Sequence, residues 1–566
     1  MAYTRTRTLA EYIELALTDH GPQTFLCEFA GRSITYGQAR DEIAGLHHLF
    51  RTCGVKPGDK VALLGNNSIH WALVYLACVT YGAVAVPILT NFTASAVHNI
   101  INMSDARLVF VQGALLDKMG DVAYPHPEKI FLLEDFRQID LSKVPKLFKA
   151  LQRKMEQFKE RAHLVFSSRA RRDHRRGPSP GPEDLAAIVY TSGTTGHSKG
   201  VMLTQGNLVS NAKAVLALVP VGPGDRLLSL LPLAHTYECT CGFLAIMAGG
   251  ASITYLGGKP NPKLLLEALE KVRPTLMAAV PLIMEKLYFR MVRPKIDNSF
   301  ILRNLTRYPA IRRHLHRWAA WKLQRAFGGR LRALVFGGAP LNPDVEAFLR
   351  EGQFPYVMGY GMTECSPLIT ASHIGEERFQ SCGYAIEGVA LKIHDPHPAT
   401  GVGEVLVQGP NVTLGYYKNE EATAALFDGE GWLRTGDLGY LDNDGFLYLK
   451  GRSKNVILGP SGENIYPEEV EHFLNESAYV LESLVVHREN RLIAILVPDE
   501  EALMRGLHLA KLTDTEIQTR VRGAFQRLIA DTNRHLADFS QIHGFEIQNK
   551  EFEKTPTEKI KRYLYH

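Results

Sequence analysis

Residues 185–206 read LAAIVYTSGTTGHSKGVMLTQG. Leu185–Tyr190 is an apolar run with Ile188 and Val189 β-branched, which predicts a buried strand ending at Tyr190. A run of Thr, Ser and Gly follows and closes on Lys199-Gly200. Gly193, Gly196 and Gly200 let the backbone bend until several N–H groups converge on one anion. Thr191, Ser192, Thr194 and Thr195 add hydroxyl donors, and Lys199 adds a mobile positive charge. The stretch predicts a phosphate cradle, although its spacing is not that of the GxxxxGK[ST] loop.

On either side of this loop, strand-like runs alternate with helical stretches: KVALLG (60–65), AVAVPI (83–88), ARLVFV (106–111), AAIVY (186–190), LRALVFGG (331–338) and VALKIH (389–394). Such alternation predicts parallel α/β layers. The chain has 566 residues, more than one hydrophobic core usually organises, so at least two domains are expected. Trp71–Leu89 is uncharged over 19 residues, but Gly82 and Pro87 interrupt it. Its pattern changes from WALVYLACVTY to AVAVPIL, which predicts a buried helix and then a buried strand rather than a membrane span. From 403 onward short strands and turns dominate, with Asp444-Gly445 a hairpin signal, and a smaller α+β unit is expected after about 454.

The string YTSGTTGHSKGV resembles the signature phosphate loop of the adenylate-forming superfamily of acyl-CoA synthetases, adenylation domains and luciferases. The resemblance runs from ITYGQARDEIAGL (34–46) to KTPTEKIKR (554–562) and takes in several motifs in the family's order. It implies an α/β fold: a large N-terminal domain of layered α/β subdomains with a small β-barrel-like subdomain (1–453), then a mobile α+β C-terminal domain (454–566).

In GYGMTECSP (359–367) the resemblance puts Tyr360 and Gly361 at the adenine, Thr363 near the α-phosphate and Glu364 on Mg²⁺, for which a hard carboxylate is suited. Gly337, Gly338 and Ala339 would let the backbone approach the adenine, since only very small side chains permit it. Cys365 reads as incidental, with no His nearby in sequence. Asp437 of TGDLG (435–439) would hold both ribose hydroxyls, with Arg452 of KGRSKN beside it. Lys454 matches the hinge, and Lys559 the lysine that enters the site for adenylation. Glu558 stands where relatives commonly have Gly, and Asn455 where many have Asp. GPSGENIYP (459–467) resembles the segment used in the thioester step.

The chemistry so implied is activation of a carboxylate by ATP with Mg²⁺, pyrophosphate leaving, then capture of the acyl group by CoA with release of AMP. Residues 227–256 contain one formal charge, Glu238, and no Asp of the kind amino-acid-adenylating relatives place near here. His235 in LPLAHTYE would sit beside the substrate carboxylate. The wording GGAPL, GYGMTECSP and GPNVTLGYYKN resembles long-chain fatty-acid synthetases, so a medium- or long-chain fatty acid is expected. Two other readings stay open: transfer to an acyl-carrier protein, and a non-catalytic nucleotide- or membrane-binding scaffold.

Apolar residues make up 45% and charged residues 22%, which excludes disorder, collagen and a disulfide miniature as whole-chain descriptions. Seven cysteines without a CxxC pair, and a start without a signal-like apolar core, fit a protein of the cytoplasm, either free there or peripheral on the inner face of a membrane. The net charge of +5 conceals two basic islands. Residues 137–176 carry 13 Lys/Arg against 4 Asp/Glu, and residues 299–330 carry 8 Lys/Arg and no acid. Leu147, Leu151, Met155 and Phe158 in the first, and Ile311, Leu315, Trp318 and Trp321 in the second, recur at helical spacing. Each stripe either packs on its own domain or meets an anionic membrane or acidic partner. No motif supports a nucleic-acid partner.

Overall fold

The computed structural model describes residues 3–120, 127–139, 179–192, 198–257, 262–297, 299–458, 464–488, 491–509, 512–555 and 559–565. Two large sheets organise the first 385 residues. One has seven strands in the order Gln138–Ile139, Lys129–Leu132, Ala106–Val111, Lys60–Leu64, Val84–Ile88, Leu185–Ser192 and Ser198–Thr204. Its centre is parallel and its two edges are antiparallel. The second has nine strands, and Arg226–Ser229, Leu276–Ala279, Ala333–Phe336 and Tyr356–Gly361 run parallel within it.

The helix Ile69–Tyr81 joins the two sheets. Every residue from Ile69 to Val79 is buried, so it has no solvent face. It packs against Val84–Ile88 and Leu185–Ser192 of the seven-stranded sheet and against Thr24–Glu28 of the other. Ser68 caps its start by accepting from the Trp71 N–H at 3.1 Å, and Gly82, at φ 84°, ends it in the left-handed conformation. The uncharged stretch is therefore a helix and a strand of the core. Among the described residues no helix is long and apolar enough to cross a membrane.

A four-stranded antiparallel sheet follows: Ala390–His394, Gly403–Gln408, Leu433–Leu441 and Leu447–Arg452. VALKIH thus belongs here and not to the parallel layers its apolar run suggested; an isolated alternation does not tell a parallel from an antiparallel partner. The turn at Asp444-Gly445 forms as expected, with Gly445 at φ 82° and Asp442 accepting from the Asp444 and Phe446 N–H groups. Beyond residue 464 a three-stranded sheet, Val480–Arg488, Arg491–Pro498 and Ile542–Ile547, packs with the helices Pro467–Asn475 and Asp514–Asn533 around a separate core that includes Val470, Leu496 and Phe525.

The first basic island's stripe, Leu147 to Phe158, lies outside the described residues. In the second, the helix Pro309–Ala326 buries His316, Ala320 and Leu323, while Ile311, Trp318 and Trp321 face solvent and Leu315 is half-buried. The aromatic stripe does not pack on its own domain.

Candidate active site

The predicted phosphate loop is the tip of a β-hairpin. The first strand runs on past Tyr190 to Ser192, because it finds an antiparallel partner in Ser198–Thr204. The register pairs Tyr190 with Gly200, Thr191 with Lys199 and Ser192 with Ser198. Paired residues share a sheet face, so Thr191 and Lys199 point the same way. A side chain on Gly200 would meet Ile188 Cγ2 at 2.9 Å and the Tyr190 ring at 3.0 Å, which accounts for this glycine. Gly193, Thr194 and Thr195 lie outside the described residues.

The segment Asn411–Tyr417 docks along this hairpin, with the Tyr417 N–H donating to the Gly200 carbonyl at 2.7 Å and the Met202 N–H to the Gly415 carbonyl at 3.0 Å. It brings Tyr416 between two predicted site residues. The Lys199 Nζ stands 4.8 Å from the centre of the Tyr416 ring, and the Tyr416 hydroxyl donates to Glu364 Oε1 at 2.7 Å. Tyr416 was quoted in the sequence within GPNVTLGYYKN only for its wording; nothing in a Gly-Tyr-Tyr run signals contact with a carboxylate fifty residues earlier.

Glu364 follows the strand Tyr356–Gly361 through a short 3₁₀ turn, Thr363–Cys365. Two asparagines hold that turn. Asn211 and Asn411 both donate to the carbonyls of Cys365 and Leu368, at 2.8–3.2 Å. Gly361 has to be glycine, since a Cβ there would lie 2.0 Å from the Pro367 carbonyl oxygen. Cys365 is fully buried and its thiol is pushed well up by burial and then by Glu364, so it is no nucleophile.

Asp437 and Arg452 are register partners on adjacent strands. Asp437 is buried; Tyr360 donates to its Oδ2 at 2.6 Å, and Arg452 Nε lies 2.9 Å from its Oδ1. The carboxylate is thereby fixed in orientation and paired with a guanidinium. Lys454 follows in the exposed turn Ser453–Asn455.

Lys559 comes from the far end of the chain, in a turn closed by the Thr555 N–H to Lys559 carbonyl bond at 2.7 Å. Desolvation and then the Arg452 guanidinium draw its ammonium below the ordinary value, against the opposing pull of Asp437 and Glu364. Lys559 therefore stands in the electrostatic company of all three. It also acts on His235, whose imidazole is held down to about 4 by desolvation first and Lys559 second. His235 is neutral near pH 7. Its Nδ1 accepts from the Tyr237 N–H at 3.2 Å, which leaves the proton on Nε2 as a donor.

Behind His235 and Thr363 opens an apolar pocket of about 100 Å³. Gly338, at φ 85°, stands at its mouth with nothing within 4 Å of where a Cβ would be. Ala339 is exposed next to it. Leu227 and Leu276, near the starts of their strands, line the deep end with Val215 and Leu218. Strands rise about 3.3 Å per residue, so the pocket follows Leu276–Ala278 for roughly 7 Å.

One wall is the π-helical turn Tyr237–Leu244. The Tyr237 hydroxyl donates to the Val335 carbonyl at 2.9 Å, and a Cβ on Gly337 would press on the Tyr237 ring at 3.3 Å. Behind the wall Glu238 is fully buried. It accepts from Ser229 at 2.5 Å, and burial pushes its carboxyl up to about 8, so the one formal charge of the stretch is neutral at pH 7.

The family model of the AMP-binding enzymes matches residues 14–417. The chain is 30% identical to long-chain-fatty-acid–CoA ligase 1 of Cavia porcellus, over 94% of this chain and 80% of that protein. It is 30% identical to long-chain-fatty-acid–CoA ligase FadD15 of Mycobacterium bovis, over 94% and 90%. Among solved structures, the anthranilate CoA ligase AuaEII in complex with anthranoyl-AMP superposes with a TM-score of 0.76 at 20% identity, covering 98% of this chain and 96% of that one. ATP-bound MatB from Rhodopseudomonas palustris superposes with a TM-score of 0.71 at 23% identity, covering 96% and 95%.

Proposed function

The chain belongs to the AMP-binding enzyme family and is an acid–thiol ligase, and from that premise we propose that it activates a medium- or long-chain fatty acid with ATP and passes the acyl group to CoA. The observation that carries this reading is that two residues lining the apolar pocket also meet the charged groups: Tyr360 donates to Asp437 at 2.6 Å beside Arg452, and His235 feels Lys559. Asp437 and Arg452 lie on adjacent strands, whereas Lys559 comes from the far end of the chain.

In the first half-reaction an oxygen of the fatty carboxylate attacks the α-phosphorus of ATP, and the bond from phosphorus to the pyrophosphate oxygen breaks. Tyr360, Gly338 and Ala339 would bound the adenine, and Asp437 with Arg452 the ribose. The ribose hydroxyls would take the place of the Tyr360 hydroxyl on a carboxylate already oriented. Lys559 and Thr363 would oppose the charge growing on the α-phosphate. Lys199, with Thr191 beside it in register and Ser192, Gly193, Thr194 and Thr195 beyond, would hold the departing pyrophosphate.

The neutral His235 would donate its Nε2 proton to the fatty carboxylate and place it without adding a charge that binds it too firmly. Glu364 fits a magnesium ion: it offers a hard oxygen donor, and among the described residues one hydrogen bond, from Tyr416, reaches its carboxylate. When bound, the ion would neutralise phosphate charge. In the second half-reaction the C-terminal unit (454–566) would pivot from the 1–453 unit about Lys454 and withdraw Lys559. The CoA sulfur then attacks the acyl carbon, and the bond to the AMP oxygen breaks. Apolar walls and a neutral Glu238 support a fatty acid over an amino acid, whose ammonium would find no carboxylate. The seven free cysteines suit a reducing cytoplasm, where we place the reaction.

The test is AMP release from ATP, Mg²⁺ and a series of fatty acids, each with and without CoA. Turnover that requires CoA and favours chains longer than a few carbons is expected. Lys559→Ala should slow acyl-adenylate formation by about 10²–10³-fold, yet still convert synthetic acyl-adenylate and CoA to the thioester. Equal loss of both half-reactions would overturn the role given to Lys559.

A further inference from the structure

The helix Pro309–Ala326 presents an unusual outer face. Ile311, Trp318 and Trp321 are 36%, 55% and 53% exposed, at spacings of seven and three residues that keep them on one side of the helix. Phe300 at 72% and Ile301 at 69%, on the preceding helix Phe300–Leu305, with Tyr308 at 64% between the two helices, extend the patch. A monomer rarely leaves so much contiguous apolar surface in water.

Cations are interleaved with these side chains. Lys322 Nζ lies 3.7 Å from the centre of the Trp318 ring, Arg325 5.0 Å from that of Trp321 and Arg303 5.8 Å from that of Phe300. Among the described residues Arg303, Arg313, Arg317, Lys322 and Arg325 have no acidic partner within ion-pair distance, whereas Arg312 is held by Glu351 at 2.6 Å. Aromatic bodies with cationic heads suit the boundary between phosphate headgroups and acyl chains. An acidic protein would be served by the charges without the exposed tryptophans.

We propose that this face docks the protein on an anionic phospholipid bilayer, with Trp318 and Trp321 entering the interface and the unpaired cations contacting lipid phosphates. The inward side of the helix shares a hydrophobic cluster with Met277 and Phe336, which also line the apolar pocket. If the acid is a fatty acid, as proposed above, the docked helix packs into the same core that walls the pocket taking it.

Binding is read without catalysis, so its outcome is independent of the substrate assignment. The full chain is mixed with vesicles of phosphatidylcholine alone, or with one quarter phosphatidylglycerol, and followed by cosedimentation and tryptophan emission. Two of the four tryptophans are on the patch, so the probe is intrinsic. The anionic vesicles should be bound, with a blue-shifted emission that brominated acyl chains quench, and salt should weaken the binding.

The pair Arg313→Ser and Arg317→Ser should weaken binding roughly 10- to 30-fold. The pair Trp318→Ser and Trp321→Ser should abolish the blue shift at unchanged melting temperature. Absence of binding by the native chain, or binding indifferent to both pairs, overturns the proposal. So does a dimer that the tryptophan pair converts to a monomer while vesicles go unbound, and so does capture by acyl-carrier protein without any affinity for vesicles.

Discussion

Tyr416 carries two site residues at once. Its hydroxyl restrains Glu364 and its ring face seats Lys199. Tyr416→Phe removes the first contact and keeps the second. It should weaken Mn²⁺ binding, read by electron paramagnetic resonance, by about tenfold, and leave pyrophosphate affinity near native. Tyr416→Leu should lower both. Glu238 gives a residue-scale pH effect of definite sign. Its folded value, about 8, lies above the ordinary 4.5, so the folded state keeps a proton that the unfolded state loses. The stability this group contributes falls as pH rises from about 4.5 to about 8. Glu238→Gln should therefore gain melting temperature over the native chain progressively from pH 5 to pH 8; a constant gap would refute the assignment. Asp437, Glu364 and Lys559 were legible as candidates because they stand in recognisable motifs, and the structure brings them into one electrostatic neighbourhood. Tyr416 was not, because its meaning depends on a hydrogen bond to a residue 52 positions away in sequence, and the tautomer of His235 is likewise set by a backbone N–H that no motif records.

At the scale of elements, alternation of apolar runs located four strands of the seven-stranded sheet but only Ala333–Phe336 of the nine-stranded one, and the interruption at Gly82 correctly divided a helix from a strand. The direction of pairing was less legible. The arms of the phosphate hairpin zip past Tyr190 because Ser198–Thr204 lies antiparallel to them, and VALKIH finds an antiparallel neighbour in Gly403–Gln408. Periodicity of two describes any half-buried strand and says nothing of its partner. The basic helix shows the same limit: spacing revealed a stripe, while the side of the helix that the core selects, His316, Ala320 and Leu323, lay elsewhere. The pocket along Leu276–Ala278 allows a prediction at this scale. Ala278→Phe fills it at mid-depth and should lower kcat/KM for the longest acids by about tenfold or more, with short acids spared. Uniform loss across chain lengths would place the acyl chain elsewhere.

For the molecule as a whole, the C-terminal unit rests on the larger one through Arg290 to Asp499 at 2.7 Å and a titratable cluster of Arg293, Asp344, Asn342, His472 and Glu476. Burial first and Asp344 second push Glu476 up to about 7, while Arg293 and Asn342 oppose them. His472 is lowered by burial, against the pull of Asp344. The arrangement with Lys559 at the site thus favours protonated Glu476, and it should weaken relative to a rotated arrangement as pH rises from about 4.5 to about 7. A fluorescence pair across Lys454 should report that drift, and Glu476→Gln should flatten it.

Beneath this moving contact, the helix Ile69–Tyr81 works as a weld. It fastens the sheet that carries the Lys199 hairpin to the sheet that ends in Glu364, with no solvent-facing side along which either could slide. On the pivot proposed about Lys454, the two sheets would serve as a stator and the C-terminal unit as a rotor. Turning it would withdraw Lys559, while the span between the two anion-handling walls would stay as the weld has set it.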